Sequence, residues 1–95
     1  MLNIELNGAV VEFQGELNCH TVVAYWPFKL LAKLPKQTVF NLAALQHVDT
    51  AGLAWLIKQL ALAKQQGITV TLSQMPAQLR SLATVSDVVG LLPTD

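Results

Sequence analysis

The chain has 95 residues, of which 53% are apolar and 13% are charged, and its six basic and six acidic side chains cancel. This length fits one small domain with a core that needs no disulfides. Sparse, balanced charge leaves no basic surface for nucleic acid, and an apolar chain does not fit intrinsic disorder. The single cysteine, Cys19, cannot form an internal disulfide or a cysteine-based metal site. High hydropathy with zero net charge favours association, so we expect a domain that works bound to a partner.

The sequence carries no sign of export or membrane insertion. The first residues, 1–5, lack the basic flank and the continuous apolar stretch of a targeting segment. Polar residues interrupt every apolar run before it reaches the roughly 18 residues of a membrane span. We therefore expect one domain, residues 1–95, located in the cytoplasm.

The first half of the chain predicts a hairpin followed by a helix. Asn7-Gly8 tolerates the positive φ angles of a two-residue turn, so residues 2–6 and 9–13 are predicted to pair as antiparallel strands. Apolar residues at helical spacing predict a helix over residues 21–34. Pro27 lies inside it and either kinks the helix or marks the start of its regular part.

The second half alternates strands with helices. The predicted elements are a buried strand at 38–42, a loop at 43–49, a helix at 51–66, a strand at 68–72, a helix at 77–83 and a tail at 85–95 with a short strand or helical turn. Strand–helix–strand units with short crossovers give parallel pairs. The fold is therefore predicted to be α/β, a small mixed sheet of four to five strands with helices mainly on one face.

The predicted helix at 51–66 has two apolar faces. At 100° per residue, one side carries the stripe expected to face the sheet, namely Leu53, Leu56, Ile57 and Leu60. The opposite side carries Ala51, Trp55, Lys58 and Leu62. Either another helix of the same domain covers this second stripe, or it binds a partner protein. We favour the partner, because exposed apolar patches with an aromatic anchor commonly mark interfaces.

Two polar residues stand at the start of this helix. Asp49 or Thr50 can cap it by accepting backbone N–H bonds. Alternatively, the Thr50 hydroxyl contacts a partner or accepts a phosphate, which the helix dipole favours and the charge of Asp49 opposes.

Catalytic and ligand-binding patterns are missing from the sequence. His20 and His47 lack metal-ligand spacing, and Cys19 beside His20 is not a nucleophile–base pair, because chain neighbours seldom point together. The five glycines are isolated and form no phosphate-binding loop. We expect no enzyme, no cofactor and no metal.

Two motifs carry a resemblance to a known family. Val-Asp-Thr-Ala-Gly-Leu-Ala at residues 48–54 resembles the signature loop of STAS domains, the fold of bacterial anti-sigma factor antagonists. Gly-Glu-Leu-Asn at residues 15–18 resembles the family's Gly-Glu-Leu-Asp segment after the second strand. The resemblance implies a STAS fold over nearly the whole chain.

Within the family, the chain most resembles the MlaB-type branch. The resemblance rests on residues 48–54, on Ala-Lys-Gln-Gln-Gly at 63–67 leading into 70–72, on Trp26 and on Leu82-Ala83. It implies a non-catalytic subunit that binds a MlaF-like ATPase, in a phospholipid ABC transporter with a permease and a substrate-binding subunit. Such systems maintain outer-membrane lipid asymmetry. The expected partner-binding residues are Asp49, Thr50, Ala51, Trp55, Lys58 and Leu62, a face through which the isolated chain can also self-associate.

One position departs from the anti-sigma factor antagonists. Their phosphorylated serine usually stands directly before the glycine, where this chain has Ala51. Only Thr50 offers a hydroxyl nearby, so it is the candidate phosphoacceptor. The departure favours the MlaB-type reading and leaves a kinase-switched antagonist as the alternative.

Overall fold

The computed structural model describes residues 1–94, and four strands form its single sheet. Their bounds are Leu2–Asn7 (β1), Val10–Leu17 (β2), Gln37–Val48 (β3) and Thr69–Ser73 (β4). The strand order is β1-β2-β3-β4, with β1 and β2 antiparallel and the other pairs parallel. The predicted mixed α/β architecture is thus confirmed. Beyond the four strands, Thr94 adds one isolated parallel bridge to Leu72.

Two α-helices and three short 3-10 helices complete the fold. The α-helices are Thr50–Gln65 (α1) and Ala77–Val85 (α2), and the 3-10 helices are Val22–Tyr25, Lys29–Lys33 and Val89–Leu91. The hairpin, α1, β4 and α2 lie within a few residues of their predicted positions. Gly8 has a φ of 62° at the predicted hairpin turn, a conformation that glycine adopts without strain.

The core lies on one face of the sheet. Side chains alternate along the strands, so Ile4, Phe13, Phe40 and Leu72 are buried on the helix-covered face. The opposite face is more polar, and there the Asn41 amide donates to the Glu12 carboxylate at 3.0 Å. The helices therefore pack on the apolar face of the sheet, and the polar face lies opposite.

The predicted continuous helix over residues 21–34 is wrong. The segment forms two 3-10 helices, Val22–Tyr25 and Lys29–Lys33, interrupted around Pro27. Trp26 is extended, with φ −120° and ψ 112°, and the Pro27 nitrogen that follows it has no N–H to donate to a helical carbonyl. Because of this break, Trp26 lies outside both 3-10 helices.

The predicted loop at 43–49 is also wrong, because β3 continues to Val48. The register between β2 and β3 shifts twice, between Glu12 and Gln14 and again between Gly15 and Glu16, with β3 supplying the extra residue each time. Such bulges break the two-residue alternation of a strand. The buried residues in this half of β3 are therefore spaced by three: Leu42, Leu45 and Val48.

Candidate partner-binding site

The start of α1 is held by one carboxylate. Asp49 accepts a hydrogen bond from the Gly52 N–H on Oδ1 at 2.8 Å and from the Cys19 N–H on Oδ2 at 3.1 Å. The first bond caps α1, and the second ties the turn after β2 to the same helix end. Asp49 thereby fixes the position of the segment that follows Cys19.

These hydrogen bonds set the charge state of Asp49. Burial on its own would raise the pKa of this carboxyl, but N–H donors from Gly52, Cys19 and Ala51 and the Cys19 side chain favour the ionised form. The net result is a pKa below the ordinary value of an aspartate. Asp49 is therefore a charged structural cap at neutral pH.

Gly52 allows α1 to approach the end of β2. A Cβ atom at this position would collide with the backbone carbonyl oxygen of Leu17. The Asp49 N–H donates to the same carbonyl at 3.2 Å. The glycine of the signature loop thus has a steric role, because no side chain fits between α1 and β2.

Thr50 is not the cap. It is the first residue of α1, it is exposed, and its hydroxyl makes no hydrogen bond to any other residue in 1–94. Ala51 beside it is half-buried. Of the two capping candidates, the structure assigns the role to Asp49, and Thr50 is an exposed residue of the first turn.

The prediction that Trp55 lies on an exposed stripe is wrong. Its side chain is 5% exposed, and its indole N–H donates to the carbonyl oxygen of Tyr25 at 3.3 Å. The indole packs edge-on against Phe28, at 5.1 Å between ring centroids, and against Phe13 at 6.3 Å. The segment that contains Tyr25 and Phe28 therefore covers this side of α1. The alternative expected a helix here, and the cover is a short 3-10 helix that ends at Tyr25, together with the irregular residue Phe28.

The exposed stripe of α1 differs from the predicted one. Lys58 is exposed as predicted, whereas Leu62 is half-buried. On the predicted sheet-facing side, Leu53 and Leu56 are buried, but Ile57 and Leu60 are only half-buried. The exposed residues of α1 recur every three or four positions up to its last turn, where two are adjacent; they are Thr50, Ala54, Lys58, Ala61, Lys64 and Gln65.

An exposed aromatic side chain lies beside this stripe, although at a position that the sequence did not single out as a binding residue. Trp26 is 56% exposed and Val23 is 69% exposed. Together with Val22, Ala54 and Lys58 they line a shallow groove of about 420 Å³, with Trp55 at its side. We call Val22, Val23, Trp26, Ala54 and Lys58 the Trp26 patch. The available sequence signal was the Trp-Pro dipeptide, which disfavours a helical conformation at Trp26.

The remaining sequence candidates do not converge on chemistry. Cys19 and His20 are exposed on the turn after β2, and His47 is exposed near the end of β3. Across residues 1–94, no three His, Cys, Asp or Glu side chains are grouped as a metal site would require. No helix in this part of the chain combines the length and the apolar character needed to cross a bilayer.

Comparison with known families identifies the domain. A family profile described as "Mlab, STAS domain" matches residues 1–93. The chain belongs to the MlaB-type STAS domain family. No curated protein matches the sequence significantly.

Solved structures of anti-sigma factor antagonists share the fold of this MlaB-type domain. The antagonist SpoIIAA in its unphosphorylated form is 14% identical, with a TM-score of 0.71 over 100% of this chain and 88% of that one. A putative antagonist from Thermotoga maritima is 15% identical, with a TM-score of 0.76 over 98% and 84%. One from Mycobacterium paratuberculosis is 19% identical, with a TM-score of 0.70 over 99% and 83%. At these identities the likeness concerns the fold.

Proposed function

We propose that this domain is a non-catalytic accessory subunit that binds the ATPase of a phospholipid ABC transporter. It acts in the cytoplasm, at the inner membrane only through its complex with the ATPase, the permease and a substrate-binding subunit. The MlaB-type family match supports this assignment. A binding role suits this domain, because its candidate site consists of the apolar Trp26 patch and the exposed Thr50 hydroxyl.

The observation that carries the proposal is the exposure of Trp26 next to α1. A tryptophan that is 56% exposed, with Val23 at 69%, forms a contiguous apolar surface on a small domain. Interface energy concentrates in aromatic anchors of this kind. The Trp26 patch therefore takes the role that the sequence assigned to Trp55.

Thr50 extends this surface along α1. It lies one helical turn before Ala54, which lines the groove of the Trp26 patch. Its hydroxyl is free to bond to a partner, while Asp49 keeps the helix capped. The proposed interface thus runs from Thr50 through Ala54 to Lys58, with Trp26 alongside.

The experiment is co-purification with the ATPase from cells that express the whole complex. Trp26→Ala is expected to weaken binding by about 2 kcal/mol or more, which is roughly 30-fold in affinity. Val85→Ala is the matched control, because Val85 is 86% exposed on α2, outside the Trp26 patch. Equal binding by both variants would refute the assignment of the site.

Substitutions at Thr50 test the rest of the interface. Thr50→Ala is expected to leave the fold intact and to reduce complex formation. Thr50→Glu is expected to be worse, because it places a second negative charge beside Asp49 in a surface that loses water on binding. Normal binding by both variants would remove Thr50 from the interface.

The alternative is an anti-sigma factor antagonist switched by a kinase. The free Thr50 hydroxyl at a helix N-terminus favours it, whereas Ala51 stands where those proteins carry the phosphorylated serine. The same pull-down separates the two functions. Recovery of an ABC ATPase supports the transporter subunit, and recovery of a kinase or sigma regulator, with intact-mass evidence of phosphate on Thr50, supports the antagonist.

A further inference from the structure

A second groove lies along α1, closer to its C-terminal end than the Trp26 patch. It encloses about 450 Å³ between the C-terminal half of α1, the start of β4 and the tail. Six of the residues that line it are Ile57, Leu60, Lys64, Ile68, Val70 and Leu91. This volume falls within the range of about 300–1,000 Å³ that is typical of small-molecule sites.

The groove combines apolar walls with one charge. Leu91 is 60% exposed at its edge, although it is an apolar side chain in a short 3-10 helix. Lys64, in the last turn of α1, is the charged residue that lines the groove, and no carboxylate of residues 1–94 lines it or pairs with that ammonium group. An apolar groove whose lysine has no acidic partner among residues 1–94 is complementary to a ligand with a hydrocarbon chain and a single negative head.

A second cation belongs to the same end of the sheet. The Thr69 N–H, at the groove, donates to the carbonyl oxygen of Lys36 at 2.7 Å. Lys36 is exposed. The backbone of this second lysine therefore lies beside the groove, and both lysines carry the charge that an anionic head group requires.

We infer that this groove binds the alkyl chain of a fatty acid, with Lys64 pairing with its carboxylate. Hydrocarbon contacts with Ile57, Leu60 and Val70 provide the affinity, and Lys64 provides the selectivity for an anionic head. The lysine can keep its own methylenes on the apolar wall while its ammonium group remains at the rim. The site is separate from the Trp26 patch, so the inference stands whichever partner that patch binds.

Binding is measured by titrating the full chain with decanoate below its micelle concentration, following backbone amide shifts by NMR. The expected shifts centre on Leu60, Ala61 and Val70. Affinity should rise by up to about fourfold per added methylene from octanoate to dodecanoate, until the groove is full. Decanol and decyltrimethylammonium, which lack the negative head, are expected to bind more weakly.

Matched lysine variants test the role of the head group. Lys64→Gln is expected to weaken decanoate about tenfold and to leave decanol unchanged. Lys58→Gln, on the same helix but in the Trp26 patch, is expected to change neither. Ala61→Trp, which places a bulky side chain in the groove, is expected to abolish binding while the fold stays intact by circular dichroism.

Four results would overturn the inference. Equal affinities for decanol and decanoate, or an unchanged decanoate affinity in Lys64→Gln, would show that Lys64 does not pair with the carboxylate. Shifts confined to Val23 and Trp26 would place the ligand elsewhere. Sedimentation could instead show that the full chain is a dimer and that Ala61→Trp is a monomer. Together with no decanoate binding, that result would assign the groove to a second copy of the chain.

Discussion

The buried indole of Trp55 hydrogen-bonds to the backbone of Tyr25, the residue next to the exposed Trp26. The N–H donates to the Tyr25 carbonyl oxygen at 3.3 Å, while the Tyr25 hydroxyl donates to the Leu2 carbonyl oxygen at 3.2 Å. Trp55 therefore links α1 to the segment that carries the proposed anchor. One tryptophan packs in the core, and the other presents its ring to solvent.

The two tryptophans are expected to separate stability from binding. Trp55→Ala removes a ring packed between Phe13 and Phe28, so it should cost about 3–5 kcal/mol in the free energy of unfolding. Trp26→Ala should cost about 1 kcal/mol or less, because its ring is more than half exposed. Urea unfolding of both variants provides the measurement. A large loss in Trp26→Ala would show that this ring is needed for folding.

Asp49 is expected to make stability depend on pH in the acid range. Its pKa is lower in the folded chain than the value of about 3.9 in an unfolded one, so its contribution is full above that value. The contribution is then lost as the pH falls through the lowered pKa of the folded state. Asp49→Asn keeps a capping oxygen but cannot accept from both Gly52 and Cys19, so it should cost about 1–2 kcal/mol at neutral pH. Unfolding curves at several pH values should show the difference between the two proteins shrinking in acid; a constant difference contradicts the charged cap.

Gly52→Ala is expected to destabilise the domain, although alanine is normally the better helix former by about 0.8–1.0 kcal/mol. The added Cβ would meet the Leu17 carbonyl oxygen, and α1 would have to move away from β2 at a cost of about 1–3 kcal/mol. Gly90→Ala is the control, since a Cβ there has no neighbour within 4 Å. A thermal shift assay on both variants tests the prediction, which is wrong if Gly52→Ala melts at or above the temperature of the parent protein.

Gln59 is expected to limit the stability of the core. It lies on the buried side of α1 at 0% exposure, and neither its Oε1 nor its Nε2 has a hydrogen-bond partner among the described residues. An unpaired buried amide costs about 1–3 kcal/mol, so Gln59→Leu should raise the free energy of unfolding by about 1 kcal/mol. Gln59→Glu, which buries a charge, should lower it sharply. Chemical denaturation measures both, and a less stable Gln59→Leu would indicate that the amide is hydrogen-bonded in solution.

Local signals were enough to predict most of the element order. Asn7-Gly8 located the hairpin, and Asp49 with Gly67 bounded α1, because turns and caps depend on a few neighbouring residues. The extent of β3 could not be predicted in the same way. Its bulges arise from the pairing with β2, and they disguise the alternation that identifies a strand.

The composition of the site was harder to predict than its location. The signature loop identified the start of α1, but Trp55 was assigned to the wrong environment. Helical periodicity gives the angle between side chains and leaves open which segment covers each face. That choice depended on the break at Pro27, which allows Tyr25 and Phe28 to pack over Trp55 and leaves Trp26 outside.

The bridge between Leu72 and the tail also covers part of one edge of the sheet. The Leu72 N–H, on the outer edge of β4, donates to the Pro93 carbonyl oxygen at 2.6 Å, and Leu92 is buried in the core. An uncovered edge strand can recruit the strands of other molecules. Proteolytic removal of the residues from Leu92 onward would therefore expose both an apolar hole and a free strand edge, and the trimmed chains would be prone to stack into fibrils.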